Sequence, residues 1–270
     1  MQKIINAHCH IYPEKIASKA VEGIKSFYDL DLELYLDGTV EGLIRDGQDI
    51  GVVHYLVHSV ATTPEQVHSI NTFISNEVKA HEGLFTGFGT LHPDSEDIEG
   101  DIEDLISLGL KGIKIHPDFQ RFPLNGNRAM KLGSLLQGRG LPLLVHCGDP
   151  RFEFSNPDQM KPFLEAFPDL TVIGAHFGGW SKFDEAASKL AGIPNLYVDC
   201  SSTFYYVSPE KGRELIEKFG ADRILWGSDY PMWDAKQDLE RFKNLGLTSY
   251  EEQLILYENA AKLLKINEYK

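Results

Sequence analysis

The feature of this sequence that most constrains its fold is an eightfold alternation of short, strand-like runs with longer segments of helical periodicity. Several of the short runs are continuously apolar, as expected of parallel strands that helices cover. The predicted strands are 3–8, 52–57, 84–91, 111–115, 141–146, 171–175, 195–199 and 223–227. The predicted helices are 64–81, 96–108, 127–138, 157–167, 181–191, 208–219, 234–245 and 250–265.

This alternation predicts a (β/α)8 barrel with its active site at the C-terminal ends of the strands. A doubly wound open sheet is the competing fold, but no glycine-rich phosphate-binding loop follows the first strand. The 270 residues suit a single barrel domain over 1–270, since no linker, repeat or low-complexity segment interrupts them. Segment 11–38 is too long for a plain loop, and we expect it to cover part of the barrel mouth.

Charge, hydropathy and cysteine content exclude several classes of protein. The formal net charge of −14 argues against a nucleic-acid partner, because such binding needs a concentrated basic face. We expect no membrane contact, because no signal-like start and no apolar run of about 18 residues occurs. The cysteines, Cys9, Cys147 and Cys200, are not spaced as a disulfide framework. Reduced thiols in the cytoplasm are the simplest interpretation.

Histidines concentrate where the predicted barrel places its active site, because the C-terminal ends of parallel strands converge on one face. Each could be an ordinary hydrogen-bonded residue of the rim, but together they indicate a functional site. Seven of the ten histidines lie at or just beyond predicted strand ends: His8, His10, His58, His92, His116, His146 and His176.

The H-x-H pair in the first strand predicts a metal site. His8 and His10 are two residues apart on a strand, so their side chains share one face while Cys9 points to the other. Neutral imidazoles at this spacing can bind a divalent metal together. His146 and Asp229 complete the set from the fifth and eighth strands. Two or three imidazoles with a carboxylate suit one divalent ion, for which we expect Zn²⁺, with Mn²⁺, Co²⁺ or Fe²⁺ as alternatives.

A series of motifs carries a family resemblance over the whole chain. They are, in order, NAHCHIYP, GFGTLHPD, GIKIHP, LLVHCGD, IGAHFGG, VDCSS, LWGSDYP and ILYENAAKLL. The chain resembles the amidohydrolase superfamily, more closely the amidohydrolase-related branch that includes the aminocarboxymuconate-semialdehyde decarboxylases. The resemblance implies one metal on His8, His10, His146 and Asp229. It also implies a catalytic or substrate-polarising role for His176, and a homodimer.

Two residues are predicted to act in catalysis. Asp229 would take a proton from metal-bound water and pass it to a leaving group, unless it caps the helix that follows. His176 would hold the substrate carbonyl or the developing oxyanion. The alternative for His176 is a rim residue tied to the turn at Gly178 and Gly179.

Strand four and its neighbours offer further candidates. Lys114 and His116 share one face of that strand. A carboxylated lysine bridging two metals is an alternative for Lys114, although the strand resembles the single-metal branch. We expect His116 to bind substrate or support a ligand, unless Pro117 makes it a turn residue. His92 is interpreted in the same way, and His58 is left unassigned.

The predicted reaction is metal-dependent hydrolysis of a small amide, lactone or related substrate. Arg151 supports this because its planar guanidinium could clamp the carboxylate of an acidic substrate, unless it braces its own loop through Asp149. The chain is also more compact than many decarboxylases of the branch. A non-oxidative decarboxylase or hydratase of a small unsaturated or aromatic acid is the alternative on the same site. A barrel without catalysis is the third hypothesis.

Overall fold

The strands of the chain run parallel in two hydrogen-bonded groups. A computed structural model describes residues 2–28 and 36–266. Within these ranges one sheet has the order β1-β2-β3 and the other the order β4-β5-β6-β7-β8-β9. The strands are β1 (Ile4–His10), β2 (Val52–His58), β3 (Phe85–Gly87), β4 (Gly89–Thr90), β5 (Ile113–Ile115), β6 (Leu143–Val145), β7 (Val172–Gly174), β8 (Leu196–Asp199) and β9 (Ile224–Leu225).

All eight predicted strands are present, and the third is divided in two. β3 and β4 together form the predicted strand 84–91 and are separated at Phe88, whose backbone N–H donates to Val57 at 2.9 Å. The chain after β9 returns to the first strand, because Ala7 N–H donates to the Trp226 carbonyl at 2.9 Å. Parallel strands alternating with helices make this a (β/α)8 barrel fold, as the sequence predicts.

Helices follow the strands and cover their apolar side chains. Their positions agree with the predicted segments, apart from α1, α2 and α5, which the periodicity did not single out. The helices are α1 (Glu14–Tyr28), α2 (Val40–Gln48), α3 (Val67–Ala80), α4 (Ile98–Ser107), α5 (Pro117–Gln120), α6 (Asn127–Leu136), α7 (Pro157–Ala166), α8 (Phe183–Leu190), α9 (Pro209–Phe219), α10 (Ala235–Lys243), α11 (Ser249–Gln253) and α12 (Asn259–Leu263). A turn of π-helix, Leu254–Glu258, joins the last two.

The strands are buried along most of their length, and this sets the environment of the site. Every residue of β1 is buried, including His8 and His10. Gly227 permits the close approach of the last strand, because a Cβ there would lie 2.7 Å from the Cβ of His8. The strand-end histidines are therefore enclosed by packed protein, where a polar group needs a partner. In the described ranges, no helix is long and apolar enough to cross a membrane.

Candidate metal centre and active-site cavity

Three side chains from the two ends of the chain form a triangle of possible metal ligands. The Nε2 atoms of His8 and His10 are 3.3 Å apart. Asp229 Oδ1 lies 3.4 Å from His8 Nε2 and 3.6 Å from His10 Nε2. Ligand atoms about 2.1 Å from one tetrahedral ion lie about 3.4 Å from one another. The spacing of these donor atoms therefore fits one shared ion.

The two histidines of the triangle are in the protonation state that metal binding requires. Burial lowers the pKa of both His8 and His10 well below the usual value for imidazole. His8 Nδ1–H donates to Asp199 Oδ2 at 2.8 Å, which leaves the Nε2 lone pair facing the triangle. A carboxylate behind a ligand imidazole fixes its tautomer and makes it more basic.

Asp229 is held with one oxygen free. Ser202 Oγ donates to Oδ2 of Asp229 at 2.6 Å, and Trp233 Nε1 donates to Ser202 Oγ at 2.8 Å. Asp229 and Ser202 have positive φ angles of 59° and 58°, a strained conformation that clusters at functional sites. Burial raises the pKa of Asp229 to about 7. The cap of the helix that follows is Asp234, so the capping alternative for Asp229 is wrong.

Lys114 lies next to the triangle. Its side chain is fully buried, and Nζ is 3.2 Å from His8 Nε2. Burial lowers the pKa of Lys114 to about 8, against the attraction of Asp199 and Asp229. The histidine and carboxylate groups of the triangle thus lie next to a positively charged group of the protein itself. A carboxylated Lys114 that bridges two metals stays the untested alternative to the single-metal site.

His176 lies beside the triangle on the side of β7 and β8. Its Nδ1–H donates to the Ser201 carbonyl at 2.9 Å, so Nε2 carries the lone pair. His176 Nε2 lies 3.2 Å from His146 Nδ1. Burial lowers the pKa of His176 to about 4, and the residue has a positive φ of 55°. The structure thus presents a neutral, oriented imidazole to the cavity.

The ring nitrogens of His146 contact neighbouring polar groups outside the triangle. His116 Nδ1 accepts from the backbone N–H of Phe119 at 3.3 Å, so its Nε2–H donates to the Tyr28 hydroxyl at 2.9 Å. The same hydroxyl lies 3.2 Å from His146 Nε2, which is also 3.2 Å from the Gly148 carbonyl oxygen. The rings of His116 and His146 stack at 3.8 Å between centroids. The ligand role of His146 remains a prediction.

These groups open into a cavity whose empty space, with the open solvent at its mouth included, is about 510 Å³. Its walls are mainly aromatic, and the described lining includes neither arginine nor lysine. The lining residues are His10, Ile24, Tyr28, His116, Phe119, His146, His176, Trp180, Ser202, Tyr206, Asp229, Met232 and Trp233. Ile24 and Tyr28 belong to α1, so the described part of segment 11–38 covers the cavity as expected. Residues 29–35 of that segment lie outside the described residues.

Arg151 does not contribute to this lining. Its Nε and Nη2 donate to the two carboxylate oxygens of Asp149 at 2.9 and 2.7 Å. A further N–H donates to the carbonyl of Phe27, and the guanidinium lies 4.7 Å from the centre of the Phe27 ring. This contact is the loop brace that the sequence analysis held as the alternative, extended to the end of α1. A substrate contact for Arg151 remains a prediction without support from this geometry.

Three site residues escaped the sequence analysis. Asp199 and Ser202 belong to the motif VDCSS, which carries the family resemblance but predicts no role for either residue. Their position as polar residues at the end of a strand is a signal that could have indicated site residues. Tyr28 lay in a segment interpreted only as a cover. The remaining candidate, His92, accepts from the backbone of Asp94 at 3.2 Å, which is the role of a turn residue. All three cysteines are buried and free, as expected.

Comparison with solved structures identifies similar folds at low sequence identity. An uncharacterised TIM-barrel protein from Bordetella bronchiseptica superposes with a TM-score of 0.83 at 20% identity, covering 98% of this chain and 99% of that one. The 5-carboxyvanillate decarboxylase of Sphingomonas paucimobilis gives 0.73 at 15% identity, with 99% and 100% covered. A dihydroxybenzoic acid decarboxylase from a Polaromonas species, solved with manganese and the inhibitor 2-nitroresorcinol, gives 0.73 at 16%, with 99% and 98% covered.

Comparison of sequences supplies the family. None of the curated proteins matches the chain significantly. The sequence model of the amidohydrolase family, however, matches residues 5–266, almost the whole chain. That match agrees with the motif series and with the barrel. The chain therefore belongs to the amidohydrolase family.

Proposed function

We propose that this protein is a metal-dependent, non-oxidative decarboxylase of a small aromatic or unsaturated acid. The observation that carries the proposal is the combination of aromatic walls and metal ligands in one cavity. Its described walls are aromatic and contain neither arginine nor lysine, and two residues of the ligand triangle, His10 and Asp229, belong to the same lining. A planar acid would place its ring between the walls and its carboxylate at the metal. The decarboxylases among the similar structures support this choice.

The metal would be held by His8, His10 and Asp229, with His146 as the further ligand that the family resemblance implies. Three imidazoles and a carboxylate suit a first-row divalent ion, and we propose Zn²⁺ or Mn²⁺. When bound, such an ion would supply Lewis-acid chemistry, by neutralising charge on the substrate carboxylate and polarising a neighbouring oxygen. Asp199 would keep the His8 lone pair in place, and Ser202 would do the same for Asp229.

The chain itself must orient the ring and supply a proton. Loss of carbon dioxide leaves an electron pair on carbon, and a proton must take the place of the carboxylate. His176 is proposed to relay this proton because it faces the cavity and its neutral imidazole, with a pKa lowered to about 4, has a lone pair on Nε2 that can accept a proton from an acidic group of the substrate. The imidazolium formed in this way is a strong acid, so it passes the proton on to the carbon readily. The aromatic walls exclude water that would otherwise compete for the ring position.

Hydrolysis on the same ligands is the competing function. Two arguments favoured it in the sequence, the carboxylate clamp at Arg151 and the compactness of the chain. Arg151 is paired with Asp149, and this chain aligns with 100% of the chain of the carboxyvanillate decarboxylase. Neither argument therefore favours hydrolysis over decarboxylation.

Product analysis tests the proposal. Metal-replete enzyme would be incubated with hydroxybenzoates, unsaturated acids, lactones and N-acyl amino acids, with carbon dioxide and acid release followed in parallel. We expect metal-dependent carbon dioxide release from a hydroxybenzoate or unsaturated acid. The Asp229→Asn variant serves as the inactive control. Acid release from a lactone or amide, without carbon dioxide from any acid, would establish the hydrolase instead.

A further inference from the structure

His58 occupies a position next to the ligand triangle that the predicted site does not use. It ends β2 and pairs with His10 in the register of β1 and β2. Its ring is fully buried, with its centroid 4.4 Å from that of His10 and 4.9 Å from that of His8. Both contacts are edge-to-face. Three imidazoles are thus packed together in a water-poor part of the barrel.

The ring nitrogens of His58 have no hydrogen-bond partner within residues 2–28 and 36–266. His54, on the same strand, shows the usual arrangement, because its nitrogens contact the Gly83 carbonyl at 3.1 Å and Thr86 Oγ1 at 2.8 Å. His10 Nδ1 is unpartnered as well. Burial of an imidazole without partners is unfavourable, so an unsatisfied histidine at this depth calls for a bound species.

The position of His58 next to two other histidines is the position of a possible metal ligand. One ring nitrogen of His58 lies within 4.8 Å of one ring nitrogen of His8 and of one ring nitrogen of His10. A ring nitrogen near two other imidazole nitrogens, with no hydrogen-bond partner in the described chain, is a metal-ligand environment.

We infer that His58 is a further ligand of the ion at His8, His10 and Asp229. The inference rests on the metal of the proposed function, but it does not depend on whether His146 also binds. It adds a ligand from the second strand to the set that the resemblance implies. Because imidazole suits zinc, cobalt and iron better than it suits magnesium or calcium, His58 would also strengthen selection for a first-row transition ion.

Metal affinity tests the inference directly. Apo protein would be titrated with Co²⁺ and with Zn²⁺, for the wild type, His58→Ala, His8→Ala as a ligand control and His68→Ala as a surface control. We expect His58→Ala to weaken binding by about 100-fold or more, beyond the usual loss for a residue that only supports a ligand. His68, with an exposed side chain, should leave affinity within about twofold. Affinity of His58→Ala within about threefold of the wild type would overturn the inference.

A second measurement uses the wild-type protein and needs no substitution. Wild-type protein labelled with ¹⁵N-histidine would be followed by NMR as Zn²⁺ is added. We expect one ring nitrogen of His58 to shift together with those of His8 and His10. If those of His8 and His10 shift while His58 does not, His58 is satisfied by something other than the ion, such as a buried water, and the inference is wrong. Absence of metal binding by the wild type would instead contradict the proposed function.

Discussion

The imidazole of His8 is fixed from behind by Asp199, whose Oδ2 accepts the His8 Nδ1–H at 2.8 Å. The same carboxylate accepts from the backbone N–H groups of His176 and Ser201 at 3.2 and 3.1 Å. One buried aspartate at the end of β8 therefore orients a predicted metal ligand and the backbone of a predicted catalytic residue. The two roles are coupled through a single side chain.

The first prediction follows from this coupling. Asp199→Asn should weaken metal affinity by about 10- to 100-fold, because an amide polarises the ligand imidazole less than a carboxylate does. The measurement is titration of apo protein with Zn²⁺ against a competing chelator. Asp169→Asn, a change at an exposed aspartate, is the control. Unchanged affinity in Asp199→Asn would show that His8 does not need this partner.

The second prediction concerns metal content. We expect about one divalent ion per chain, lost on His8→Ala or Asp229→Asn because each removes a corner of the ligand triangle. Elemental analysis after dialysis measures it, and chelation should lower the Tm by mass action. An ion that survives both substitutions would contradict the site. Two ions per chain, with a modified Lys114, would support the bridging-lysine alternative.

The third prediction separates catalysis from binding. His176→Asn should lower kcat about 100-fold or more, because one well-aimed group at a developing charge contributes about 3 kcal/mol to lowering the barrier. Metal content should stay near the wild-type value, since the ring nitrogens of His176 contact His146 and Ser201, and its contact with the triangle is ring stacking on His8. Parallel loss of metal and activity would make His176 a ligand.

The sequence could predict the barrel and the identity of the triangle because both depend on local patterns. Apolar runs mark the strands, and the alternation of a strand puts His8 and His10 on one face. The third strand was predicted whole, although its pairing breaks at Phe88. Helix α1 had a signal in the three- and four-residue spacing of Ala17, Val21 and Ile24, but the aromatic and acidic residues around it obscured that spacing.

Contacts between distant segments could not be predicted in the same way. Arg151 could meet a substrate or its neighbour Asp149, and only the loop conformation decides between them. The lack of a hydrogen-bond partner for the ring nitrogens of His58 depends on the folded positions of all the surrounding polar groups in the described ranges. A sequence pattern does not contain those positions. Tyr28 contacts His116 and His146 across about 90 or more residues, a distance at which periodicity carries no information.

The fourth prediction treats Arg151 as a structural residue that holds its loop through Asp149, and not as a substrate-binding residue. Arg151→Ala should lower the free energy of unfolding by roughly 1 kcal/mol, a modest value because the guanidinium is about one-third exposed. KM should rise by the same factor for acidic and neutral substrates, since the change loosens the end of α1 near Tyr28. Substrate kinetics and urea unfolding measure the two effects. A KM increase confined to acidic substrates would indicate that Arg151 binds the substrate carboxylate after all.

The fifth prediction concerns stability and pH away from the metal. Asp46 accepts from the backbone N–H of Ala235 at 3.1 and 3.3 Å, at the start of α10. Burial raises the pKa of Asp46 to about 7. Well below pH 4 the Asp46 carboxyl is protonated in both the folded and the unfolded protein, so it adds nothing to the pH dependence of the free energy of unfolding. As the pH rises from 4 to 7, the unfolded chain loses this proton before the folded chain does, so the free energy of unfolding falls.

Asp46→Asn should remove that part of the pH dependence, because asparagine keeps an acceptor for Ala235 and has no proton to lose. Relative to the wild type, we expect the variant to gain roughly 1–3 kcal/mol in the free energy of unfolding between pH 4.5 and 7.5. Urea unfolding at the two pH values measures the difference, and comparison of the two proteins cancels the titration of all other groups. The exposed Asp169→Asn change should give no such gain. An equal pH dependence in the wild type and Asp46→Asn would mean that Asp46 is ionised in the folded protein at its ordinary pH, and that burial at α10 does not hold its proton.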